Sequence, residues 1–145
     1  MAVISRLESV LGELRARGGR VTTPRRAILQ ALIDHADHPT AAQLTTRVQA
    51  LLPDVHESTV YRFLEDLEGL GVIDHVHLGH GPAVYHFVDD AHHHLVCESC
   101  DAVIEVPNQM FETLRRRLHT EFGFALKPRH FAVPGQCQNC AAARR

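Results

Sequence analysis

Two kinds of metal-binding side chain are concentrated in this chain. Cys97, Cys100, Cys137 and Cys140 form two Cys-x-x-Cys pairs and are its only cysteines. Such a pair can clasp one ion, and four thiolates make a closed tetrahedral Zn2+ site that supports a fold and leaves no position open for substrate. Disulfides or a redox dithiol are the alternatives, but neither explains a second pair so far downstream. Just before the first pair runs His92-His93-His94. Along a strand His92 and His94 point to one face and His93 to the other, so the run can serve two separate sites. His92 and His94 can join His38, His86 and Glu105. His93 can join Glu112, His130 and either His75 or His77. Imidazole-rich ligation suits Ni2+, Fe2+ or Zn2+, and a solvated, tag-like histidine run is the plainer alternative.

Arginine carries a third chemistry. Arg15, Arg17, Arg20, Arg25 and Arg26 fall in one stretch without an acid, which suits phosphates or a narrow minor groove. Further on, Ser58, Thr59, Tyr61 and Arg62 can face a major groove while Val60 and Phe63 point to a core. Glu65, Asp66 and Glu68 suit only the part of that helix that leaves the DNA. A solvated arginine face on an ordinary helical domain is the alternative.

These residues need elements to hold them. The chain has 145 residues, 45% of them hydrophobic, and a formal net charge of −2, enough for one ordinary domain or two very small ones. No apolar run approaches the ~20 residues of a membrane span. Arg6, Glu8 and Glu13 interrupt the N-terminal apolar pattern, so it does not read as a signal peptide. A cytoplasmic protein is expected, and there cysteine pairs bind metal more often than they form disulfides.

Ile4, Leu7, Leu11 and Leu14 recur at helical spacing up to Gly18-Gly19. Thr23-Pro24 predicts a cap and first turn, and Thr40 with Gln43 a capping box. A fourth helix carries Val60, Leu64, Leu67 and Leu70, with Gly71 as its stop. The period then shortens around Gly79-His80-Gly81-Pro82, which predicts a hairpin. Helices followed by a hairpin are the order of a winged helix-turn-helix. After a hinge at Asp89-Asp90-Ala91 come strands around Leu95-Val96 and over Ala102–Val106. A helix with Phe111, Leu114, Leu118 and Phe122 on one face follows, then strand-like residues from His130 to Val133 and a short tail. The expected fold is α+β: a DNA-binding winged helix over 1–88, a hinge at 89–91 and a small α+β dimerisation domain over 92–145.

Together, Arg20-Val21-Thr22-Thr23-Pro24-Arg25, Ser58-Thr59-Val60-Tyr61-Arg62, His92 to Cys100 and Cys137-Gln138-Asn139-Cys140 resemble the ferric uptake regulator family of bacterial metal-responsive repressors, over nearly the whole chain. The resemblance implies a structural zinc on the four cysteines and a regulatory metal on His38, His86, His92, His94 and Glu105. It implies a further site on His93, Glu112 and His130. Arg20 matches the family's minor-groove reader, and Tyr61 and Arg62 its major-groove contacts. His86 stands where many iron-responsive members have glutamate and peroxide sensors aspartate, and Glu105 where peroxide sensors tend to have aspartate. His75-Val76-His77-Leu78-Gly79-His80-Gly81, with His130, looks like the nickel-responsive branch, while Asp74 could serve a zinc-responsive one.

The function expected is a homodimeric, metal-activated repressor of double-stranded operator DNA, with Ni2+ or Fe2+ favoured over Zn2+ as effector. It would have no small-molecule substrate and no membrane partner, and would not be an enzyme. The competing expectations are a zinc-dependent hydrolase using His92, His94 and Glu105, a metal-storage protein, and a peroxide-sensing regulator of the same family.

Overall fold

Local capping starts the first three helices of the first half, whereas the fourth, after His56, has no side-chain cap. Ser5 Oγ accepts from the Glu8 N–H, and the reciprocal pair of Thr40 and Gln43 opens a third helix. The second helix departs from expectation by one residue: its cap is Thr22, whose Oγ1 accepts from the Arg25 N–H at 3.3 Å. Thr22 lies three positions before a free N–H, and Pro24 then stands in the first turn, where its missing donor costs nothing. In a computed structural model, which describes residues 5–35, 37–89, 92–126 and 131–143, these helices are α1 (Arg6–Ala16), α2 (Thr23–Asp34), α3 (Ala41–Gln49) and α4 (Glu57–Gly69). Ile4 and the central hinge residues Asp90 and Ala91 lie outside the described residues, as does His130.

Strands β1 (Ile73–His77) and β2 (Ala83–Phe87) form the hairpin, and β3 (His92–Cys97) and β4 (Val103–Pro107) follow. A 3-10 turn over Asn108–Phe111 leads into α5 (Glu112–Phe122), then β5 (Ala132–Gly135) and α6 (Gln138–Ala143). The last helix is unexpected, since the sequence predicts only a tail there. β3 is the central strand of a three-stranded sheet, antiparallel to β4 and parallel to β5. No helix among the described residues is long and apolar enough to cross a membrane.

Two compact units result, Met1–Asp74 with Val84–Phe87, and His75–Ala83 with Val88–Arg145. In the first, Leu11, Ile28, Leu29, Leu44, Val60, Phe63, Leu64 and Leu67 are buried between α1, α2, α3 and α4. The first half of β2 is fastened to this bundle: the Tyr85 N–H donates to the Pro39 carbonyl at 2.9 Å, and Val84 bridges Thr40. The second unit buries fewer apolar side chains, chiefly Val76, Val96, Cys97 and Val106. No α5 residue is buried, and Met110 (63% exposed) and Phe122 (74%) stand open. The architecture is an N-terminal winged helix-turn-helix with a small C-terminal α+β domain.

Candidate metal centres

The parallel pairing of β5 with β3 sets Gly135 beside Cys97, which carries Cys137 and Cys140 to the turn made by Cys97-Glu98-Ser99-Cys100. One Sγ atom from each of the four cysteines lies within 4.8 Å of all the others, and none is in a disulfide. Cys100 Sγ and Cys137 Sγ are 3.8 Å apart. A tetrahedron of sulfurs at the usual Zn–S distance of about 2.3 Å has edges of about 3.8 Å, so this spacing fits zinc. Donation from the Cys137 N–H to Cys97 Sγ at 3.4 Å is the main cause that lowers the Cys97 thiol to about 6. Cys140 is pushed up to about 12, first by its contact with Cys137 and then by Cys100. Four thiols sharing so small a volume resist ionising together, and a divalent cation removes that conflict.

Alternation along β3 separates the three histidines. His92 and His94 rings lie 4.8 Å apart at 80°. The antiparallel register places His94 opposite Glu105, and His92 Nε2 is 3.7 Å from Glu105 Oε1. These three residues present donor atoms within 4.8 Å of one another. Their set offers two imidazoles and one carboxylate, suited to a borderline divalent ion.

His93 turns into different surroundings. Its ring stacks on Phe131 at 3.9 Å and 22°, meets the edge of Phe111 at 5.0 Å, and its Nε2 lies 2.7 Å from Asn108 Oδ1. Burial lowers its pKa, partly offset by the Asn108 bond. Glu112, its expected co-ligand, pairs instead with Arg115 Nη1 at 2.8 Å. The sequence pointed to neither Asn108 nor Phe131, because nothing local ties them to His93. His75 and His77 are exposed on β1, with rings 6.0 Å apart.

The first unit holds a second donor pair. His86, buried on β2, and His38 have ring centroids 5.2 Å apart. The fastening of β2 through Pro39 and Thr40 is what brings them together. In the same unit α4 buries Val60 and Phe63 and leaves Ser58, Tyr61 and Arg62 exposed, with Thr59 half-buried. Arg20 is exposed before α2, whereas Arg25 is engaged by Asp66.

The ferric uptake regulator family model matches residues 16–133. The ferric uptake regulation protein of Bacillus subtilis (strain 168) is 28% identical over 141 residues, covering 94% of this chain and 95% of that protein. The peroxide-responsive repressor of Staphylococcus aureus is 25% identical over 134 residues, 92% of this chain and 90% of that protein. The ferric uptake regulator of Pseudomonas aeruginosa, solved with manganese, matches with a TM-score of 0.72 and 31% identity, over 88% of this chain and 97% of that one. A winged helix followed by a cysteine-tied sheet, with these relatives, defines a metal-responsive transcriptional regulator and not an enzyme. The chain belongs to the ferric uptake regulator family. The hydrolase alternative is thereby withdrawn.

Proposed function

We propose that the protein is a homodimeric, cytoplasmic, metal-activated repressor, with its DNA-binding part over 1–88, a hinge at 89–91 and a dimerisation part over 92–145. The observation that carries this reading is the division of donors: His38 and His86 in the helical unit, His92, His94 and Glu105 in the sheet unit. A regulatory ion that drew on both sets would favour one arrangement of the units, and a coupling of ~1–3 kcal/mol makes a usable switch. A structural zinc would sit on Cys97, Cys100, Cys137 and Cys140. Arg20 would enter the minor groove, and Ser58, Thr59, Tyr61 and Arg62 the major groove.

Exposed Val103, Ile104, Leu114, Phe122 and Phe124 on the sheet unit support burial against a second copy. Similar proteins have been solved with manganese and with zinc bound, which supports a divalent ion as the effector. His86 and the neighbouring histidines favour Ni2+ or Fe2+ here. His93, held by Asn108 and two phenyl rings, serves packing in this reading. Gel-shift titrations with Fe2+, Ni2+, Zn2+ and Mn2+ in turn test the proposal: DNA affinity indifferent to chelation and to His92→Ala would sink it.

A further inference from the structure

Arg25 belongs to the basic stretch, but its guanidinium is spent within the protein. Nη2 donates to Asp66 Oδ2 on α4 at 2.7 Å, and Nη1 donates to the Arg20 carbonyl at 3.3 Å. Its central carbon lies 5.1 Å from the ring centroid of Phe63, which is 1% exposed. Phe63 and Asp66 are three residues apart and so share one face of α4. The backbone N–H of Arg25 is in turn fixed by Thr22 Oγ1. Arg25, itself at the start of α2, thus ties that start through one planar group to the backbone of Arg20 and to α4.

We infer that Arg25 is a positioning residue, which sets the register between Arg20 and the exposed face of α4 without contacting DNA itself. The inference rests on the proposed roles of Arg20, Tyr61 and Arg62. Two readers in neighbouring grooves discriminate a sequence only if the spacing between them is fixed, and few other side chains can do this. A planar fork can pair with a carboxylate, reach a carbonyl and lie over a ring together, whereas lysine, a point charge on a flexible stem, cannot. The rival role, a phosphate contact, requires Arg25 to leave Asp66. The two roles predict opposite effects for Asp66→Asn, which releases the arginine without altering it.

The test uses the full chain with its zinc and a saturating regulatory metal. Affinity is measured for a duplex selected by the wild-type protein from a randomised pool, and for the same duplex scrambled, over a range of salt. Arg25→Lys, Arg25→Gln and Asp66→Asn should each lower the ratio of selected to scrambled affinity roughly tenfold, the scale of one lost base reader. The salt slope should stay at the wild-type value, because the number of phosphate contacts is unchanged. Tighter binding by Asp66→Asn, or a slope shallower by about 0.9 in Arg25→Gln, would identify a phosphate contact and overturn the inference. Discrimination preserved in all three variants, with only a lower Tm, would reduce the pair to a plain stabilising bridge and overturn it too. Circular dichroism at the assay temperature confines the comparison to folded variants, and the exposed Asp66 is the substitution least able to unfold the chain. A wild-type protein that selects no sequence would defeat the DNA-binding proposal itself, a separate outcome.

Discussion

Replacing His93 decides whether the middle histidine packs or ligates. The side chain is buried between Phe131, stacked at 3.9 Å, and the edge of Phe111 at 5.0 Å, with Nε2 2.7 Å from Asn108 Oδ1. Truncating a buried aromatic-sized side chain costs about 3–5 kcal/mol, ring contacts included, and the short bond to Asn108 puts His93→Ala near the upper end. His93→Phe keeps the stack and the buried area and loses only that bond. Arg115 Nη2, 3.4 Å from the same Oδ1, still reaches it, so the cost should be about 1–2 kcal/mol. Urea unfolding of the zinc-loaded protein, followed by far-ultraviolet circular dichroism, gives both values. Metal per chain, counted under saturating Ni2+ or Fe2+, should be the same in His93→Phe as in the wild type. A phenylalanine variant of wild-type stability that binds one ion fewer would refute the packing role and restore His93 as a ligand.

Three further outcomes are expected. Cys137→Ser should abolish zinc retention through gel filtration and melt the sheet unit, whose own apolar core is small; atomic absorption and circular dichroism read both, and retained zinc would contradict the four-cysteine site. Tyr85 is pushed up to about 12, first by burial and then by the charges of Glu68, Tyr61 and Glu65. Its neutral form is therefore favoured in the fold while the unfolded phenol ionises near 10. The stability this confers is full below pH 10 and is lost as pH rises towards 12, by about 2–3 kcal/mol. Urea midpoints should fall more steeply over that window in the wild type than in Tyr85→Phe. Phe122→Glu, at a position 74% exposed, should leave the monomer folded and weaken self-association by roughly a hundredfold or more by burying an unpaired charge; sedimentation equilibrium measures it.

What could be read from the sequence was what is local. The capping box of Thr40 and Gln43, the left-handed Gly71 after α4 and the alternation of His92, His93 and His94 each depend on residues within four positions. Harder features are decided across the chain. β5 joins β3 in parallel, and a parallel partner needs a long connection that leaves no pattern of its own. The six residues of α6 are too few to form a helix by propensity alone, and the Ala141 N–H bond to the Cys137 carbonyl helps to start it beside the cysteine cluster. Arg25 sits in a basic run, while the carboxylate that claims it lies 41 residues on, at a position where acidity suggested only distance from DNA. His93 likewise has its partners at Asn108, Phe111 and Phe131.

Ligand chemistry divides the work between the two kinds of donor. Filling the four-cysteine site requires thiols as unlike as Cys97, near 6, and Cys140, near 12, to give up their protons together. It also closes a turn on which the sheet unit depends, so an ion there is part of the fold and a poor reporter of supply. Imidazoles bind as neutral ligands, and an ion on His92, His94 and Glu105 can leave without opening that turn. Reversibility alone does not make a sensor, however. An ion held only by those three residues, all in one unit, would bind every arrangement of the two units equally and shift nothing, however tight the complex. Under the proposal, His38 and His86 of the helical unit would be added, and only then would its affinity depend on how the units are arranged. On the proposed reading, the two histidines outside the sheet, and not the conspicuous run within it, would be where metal binding becomes regulation, and His38→Ala should uncouple DNA affinity from metal more completely than it weakens metal binding.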